Sequence, residues 1–82
     1  MEIEALAEVV VDCGYKVHTG LGPGLLESVY EVVLAHTIAQ RGLHVQRQFP
    51  VPIEFEGITF AEGFRADLLI EGRLLVELKS VE

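Results

Sequence analysis

Two residues apart, in "GRLLVELKS" near the end of the sequence, stand an acid and an amine, Glu77 and Lys79. In a strand, residues i and i+2 leave the same face, so both would point one way from an otherwise apolar segment. The segment before it, "FRADLLI", carries Asp67. A hairpin closing around Glu71 and Gly72 brings Asp67 close to Glu77, and the turn decides the face. A two-residue loop would pair Ala66 with Glu77 and send Asp67 to the other side. A three-residue loop, or a glycine bulge at Gly72, pairs Asp67 with Glu77 directly. The second arrangement is the expected one.

Two carboxylates held side by side repel, and one of them would take up a proton. A divalent cation removes that conflict. Mg²⁺ is commonly held by one or two carboxylates, with waters and phosphate oxygens completing its shell. A neighbouring amine such as Lys79 can orient an attacking water and stabilise charge developing on phosphorus. Against this stands a plainer account, a cross-strand ion pair on a solvated face that contributes little. On spacing alone the plainer account is the commoner one.

The elements that must position these groups are legible in outline. From Ile3 to about Thr19, apolar residues recur at Ile3, Leu6, Ala7, Val10, Val11, Cys13 and Val17, a helical spacing. "GLGPG", residues 20–24, interrupts it, with Gly20 placed to cap the first helix and Pro23 placed to start a second. That second helix shows Leu26, Val29, Tyr30, Val33, Leu34 and Ile38 and ends at Arg41-Gly42. Beyond it the sequence turns β-branched and aromatic, broken by Glu-Gly pairs at 56–57, 62–63 and 71–72 that read as turns or bulges. Strands are expected near 44–49, 51–56, 58–61, 64–70 and 73–79, mostly antiparallel. Two helices followed by such a sheet give an α+β class, with helices covering one face.

Composition bounds the function. The 82 residues suit one domain, residues 1–82, and a chain this short hides only about 60–65% of its unfolded surface. Half the residues are hydrophobic, so a packed core is expected rather than disorder. No apolar run reaches the roughly 20 residues of a membrane-spanning helix. The acidic start, "MEIEALAEVV", is unlike a secretory signal, and the lone Cys13 reads as a small buried residue in a reducing compartment. A cytoplasmic protein is expected. Thirteen acids against six Lys and Arg give a net charge of −7, which argues against broad electrostatic clamping of nucleic acid. Such a role needs a local site, a bound cation or a basic partner.

At this point the residues carry a resemblance. Asp67 followed by Glu77-Leu78-Lys79 resembles the D…ExK signature of the PD-(D/E)XK nuclease superfamily. More specifically, "GLLESVY", residues 24–30, resembles the motif that names the GxxExxY protein family, with Gly24, Glu27 and Tyr30 in the named positions. "VHTGLGPGLLESVYE", "RGLHVQRQFPVPI" and "GFRADLLIEGRLLVELKSVE" extend the likeness over nearly the whole chain. The resemblance implies a restriction-endonuclease-like core with a metal site on its middle strands. It implies that Asp67, Glu77, the Leu78 carbonyl and Glu27 hold Mg²⁺ or Mn²⁺, and that Lys79 is the catalytic lysine. It tips the balance from ion pair to metal site. Arg65-Ala66-Asp67 lacks the proline of the superfamily's name, a position that varies widely. The resembled family also continues past the lysine strand into a helix with a glutamine-containing motif and a further strand, whereas this sequence stops at Glu82.

Other residues weigh less. Glu27 is explained equally well by the positive end of a helix dipole, and Tyr30 reads as a packing residue whose hydroxyl finds one partner. Gly20, Gly22 and Gly24 follow a helix rather than a strand, so they do not form a dinucleotide loop. His18 is expected to cap its helix rather than face a metal cleft, and His36 and His44 have no zinc-ligand spacing with Cys13. Arg41 and Arg47 could touch phosphate, and Gln48 could contact a catalytic residue from the neighbouring strand.

The leading expectation is a metal-dependent domain hydrolysing nucleic-acid phosphodiester bonds, DNA included, in an intact or vestigial form. The alternative is a non-catalytic dimeric interaction module that retains the nuclease fold. An unpaired edge at the 73–79 strand, or an uncovered apolar face, favours a homodimer.

Overall fold

The computed structural model describes residues 1–79; the expectation attached to the stop at Glu82 lies outside the described residues. Two helices, α1 (Ile3–Leu21) and α2 (Glu27–Ala39), precede three strands, β1 (Val45–Phe55), β2 (Ile58–Ile70) and β3 (Leu74–Val76). The strands form one antiparallel sheet in the order β1-β2-β3, and the helices pack on it, giving an α+β architecture. Among the described residues, no helix is long and apolar enough to cross a membrane.

The core sits between layers. Leu6, Cys13 and Val17 of α1 meet Leu34, Ala35 and Ile38 of α2 and Leu68 and Ile70 of β2, all buried. Each large apolar side chain buried this way contributes about 1.5–3 kcal/mol. Leu74, Val76 and Leu78 pack against the same cluster, so the even-numbered residues of the last segment turn inward. Leu75, Glu77 and Lys79, on the alternate positions, are exposed. Cys13 is free and buried, as expected.

The sequence pattern misplaces several boundaries. α1 runs on through Gly20 to Leu21, and its stop is Gly22, whose φ of 75° suits a residue without Cβ and whose N–H donates to the His18 carbonyl at 2.9 Å. α2 starts at Glu27 rather than at Pro23, because Gly24 is left-handed (φ 94°) and Leu26 is extended (ψ 142°). Val11, Leu26 and Val29 fit the helical apolar spacing and are nevertheless exposed. Five expected strands are three. Pro50 and Pro52 do not interrupt β1, since β1 is an edge strand, where a missing N–H need not be a missing ladder bond. Nor does Glu62-Gly63 end β2.

The three Glu-Gly pairs do three different things. Glu56 and Gly57 both have positive φ between the paired Phe55 and Ile58, the two-residue turn that suits strand twist. Glu62-Gly63 falls in an irregular stretch where one β1 residue, Pro52, faces three on β2, since Val51 pairs with Phe64 and Ile53 with Phe60. Gly63 is required there by close approach, because a Cβ on it would stand inside the Ile53 side chain. Glu71-Gly72-Arg73 is a three-residue loop joining the paired Ile70 and Leu74. The resulting register, Leu68 with Val76, puts Asp67 opposite Glu77 at the next step. The third strand is shorter than its expected 73–79, ending at Val76.

Candidate active site

The chain just past β3 lies beside the start of α2. Glu77, Leu78 and Lys79 line a cavity of about 410 Å³ together with Glu27, Tyr30, His18 and the connecting loop Gly22–Leu25. Glu27 is the first residue of α2 and has no side-chain N-cap ahead of it, so its carboxylate sits where the positive end of the helix dipole favours an anion. Tyr30, one turn on, donates its hydroxyl to the Gly14 carbonyl at 2.8 Å and ties α2 to α1. His18 borders the same cavity, and it serves the end of α1 through its carbonyl.

Asp67 stands next to this group and is not one of the cavity's lining residues. Its Oδ2 accepts the Leu78 N–H at 2.6 Å. That side-chain bond takes an amide next to the end of the β2–β3 ladder, and the pairing stops at Leu68–Val76. It also fixes the peptide that joins Glu77 to Leu78. Asp67 Oδ1 accepts from Gln48 Nε2 at 3.5 Å, so Gln48 does reach Asp67 from the neighbouring strand.

Behind Asp67 is a residue that the sequence reading passed over. Glu31 of α2 is buried, accepting from Arg47 Nε at 3.0 Å and from Gln48 Nε2 at 2.6 Å. Arg47 and Gln48 are consecutive on β1, and consecutive strand residues normally leave opposite faces. Here Gln48 has φ 53°, a left-handed conformation that costs a non-glycine residue about 1–3 kcal/mol. With that twist, both side chains reach one carboxylate. A signal was present in the sequence: Glu31 is one helical turn from Glu27 and shares a stripe with Leu34 and Ile38, an acid on an apolar face. Arg41, by contrast, pairs with Asp12 at the surface; the hydrogen bond to that carboxylate raises its pKa, with little consequence for stability in solvent.

The donors near the cavity are carboxylate and carbonyl oxygens, from Glu27, Glu77 and Leu78, with Asp67 adjacent. That hard-oxygen set fits Mg²⁺ or Mn²⁺. Among the described residues, no three His, Cys, Asp or Glu side chains form a ready-made metal cluster. A hexacoordinate cation commonly takes only one or two carboxylates and completes its shell with water and phosphate, so the set fits in kind without being a closed cage.

A scan against family models matches residues 4–82 to the PD-(D/E)XK nuclease superfamily. Neither a curated protein nor a solved structure matches the chain. The family match spans both helices, all three strands and the Glu77-Leu78-Lys79 segment that meets Glu27 at the cavity. The chain belongs to the PD-(D/E)XK nuclease superfamily.

Proposed function

We propose that this domain is a metal-dependent nuclease that hydrolyses phosphodiester bonds of nucleic acid, with Mg²⁺ or Mn²⁺ held by Asp67, Glu77, the Leu78 carbonyl and Glu27. The observation that carries this reading is the shared cavity. It gathers Glu77, Leu78 and Lys79 from the end of the sheet with Glu27 from the start of α2. The Gly24, Glu27 and Tyr30 motif supports a place within the GxxExxY branch of the superfamily.

When bound, the cation would supply Lewis acidity, polarising a phosphoryl oxygen and lowering the pKa of a water. The protein's own residues do the rest. Asp67 holds the Glu77–Leu78 peptide through the Leu78 N–H, which anchors the backbone between the two metal-side residues Glu77 and Lys79. Lys79, exposed at the cavity, holds the attacking water and meets the charge that builds on the phosphate oxygens. With a net charge of −7, the domain has little broad attraction for a polyanion. Recognition then rests on the metal, on Lys79 and on contacts at the cut itself.

Calorimetric titration with Mg²⁺ and with Mn²⁺ tests the reading. The intact chain should bind one ion, and Asp67→Ala or Glu77→Ala should weaken that binding at least about tenfold, the loss typical of a metal site missing a ligand or its support. An intact chain that takes up neither ion would end the nuclease proposal. Binding without cleavage of DNA or RNA would favour the non-catalytic module that keeps the nuclease fold.

A further inference from the structure

The far half of the β1–β2 hairpin projects past the helices and carries a continuous apolar face. Ile53 pairs with Phe60, Phe55 with Ile58 and Val51 with Phe64, and directly opposed residues on antiparallel strands share a face. Positions two apart do so as well, which puts Ile53, Phe55, Ile58 and Phe60 on one side of the ribbon; the Val51–Phe64 pair lies across the register shift from them. The reverse side carries the Glu54–Thr59 pair. The apolar side remains in solvent: Ile53 is 44% exposed, Phe55 63%, Ile58 59% and Phe60 47%. Such a ribbon is marginal in water by itself, and its apolar row gains nothing from the core it extends.

We infer that this face is a homodimer interface, occupied by the same face of a second copy. Area is the first argument. A full aromatic side chain presents roughly 150–250 Å², so four large side chains about half exposed offer on the order of 300–500 Å² per copy. Two copies together bury up to about 1,000 Å², the least that a specific protein interface needs, and each copy's patch is of the size of the largest that monomers carry. Symmetry is the second. A two-fold axis through the face sets each apolar row against its equivalent, so one patch supplies both halves of the contact. Charge excludes the obvious competitors. Glu56 and Glu62 border the row and Arg65 is committed to Glu62 at 3.2 Å, a rim that repels phosphate backbones and anionic lipid; the same repulsion acts between two copies, where salt screens it. Dimerising through the hairpin leaves the cavity at the other end of β2 open to substrate.

Light scattering coupled to gel filtration tests this across micromolar concentrations. The intact chain should run at twice the monomer mass. Phe60→Glu should shift it to the monomer, and Thr59→Lys, on the reverse face, should leave the dimer unchanged. Because Phe60 is already half exposed in the single chain, the monomeric variant should keep its helical circular dichroism. Hydrogen exchange on the unmodified chain supplies a second readout: amides of residues 51–64 should gain protection as concentration rises. A monomer throughout the range overturns the inference, as does a dimer that survives Phe60→Glu. Retention of a duplex oligonucleotide or an anionic vesicle by the hairpin of a monomeric chain overturns it too.

Discussion

Lys79→Ala should lower plasmid nicking in Mg²⁺ by roughly 100- to 1,000-fold, the cost of removing one charge-stabilising donor from a site where charge develops on phosphorus. The fold should not change. Lys79 lies past the end of β3, is exposed, and makes no salt bridge among the described residues. Metal affinity should rise slightly or stay constant, since removing a nearby cation relieves repulsion. A loss of rate with affinity retained therefore assigns Lys79 to the chemical step. Nicking that persists at its original rate would remove Lys79 from the mechanism, whatever the metal does.

The second large effect concerns the carboxylate behind the site. Arg47→Ala should destabilise the domain by about 2–4 kcal/mol, because it leaves the buried Glu31 without its cation. For a chain of this size each kilocalorie is worth about 4–8 °C in Tm, so thermal unfolding should drop by at least about 8 °C. Glu31→Gln should cost less, about 1–2 kcal/mol. Arg47 is roughly half exposed (47%) and rehydrates when its partner loses charge, whereas Glu31 cannot. The double variant should be more stable than the sum of the two losses implies. Equal and additive losses would show that the pair is not coupled. The asymmetry follows from burial alone, so it tests the Glu31 site independently of any catalysis.

The register of the last hairpin was legible because Glu71-Gly72 fixes a positive-φ turn, and one extra loop residue decides which side chain opposes Glu77. The start of α2 differs because Pro23 looks like a first-turn residue, while the left-handed Gly24 and the extended Leu26 keep the chain out of the helix until Glu27. The merging of strands escaped the pattern for a different reason. A proline stops a central strand and not an edge one, and which strand is an edge is a property of the sheet, not of the segment. Glu31 went unnoticed because an acid within an apolar stripe makes sense only once Arg47 and Gln48 arrive from β1, and Gln48 arrives there through a backbone conformation that no spacing rule anticipates. The side chains expected to do chemistry were named from local spacing and family likeness. The network that holds one of them was invisible without tertiary contacts.

Soaking crystals of this chain in Mn²⁺ and recording anomalous scattering would test the central claim most directly. One peak is expected beside the Leu78 carbonyl, within about 2.0–2.3 Å of carboxylate oxygens from Asp67 and Glu77 and near Glu27, either directly or through a water. An anomalous map empty at that cavity under saturating Mn²⁺, with the Asp67 carboxylate still bound only to the Leu78 and Gln48 N–H groups, would contradict it.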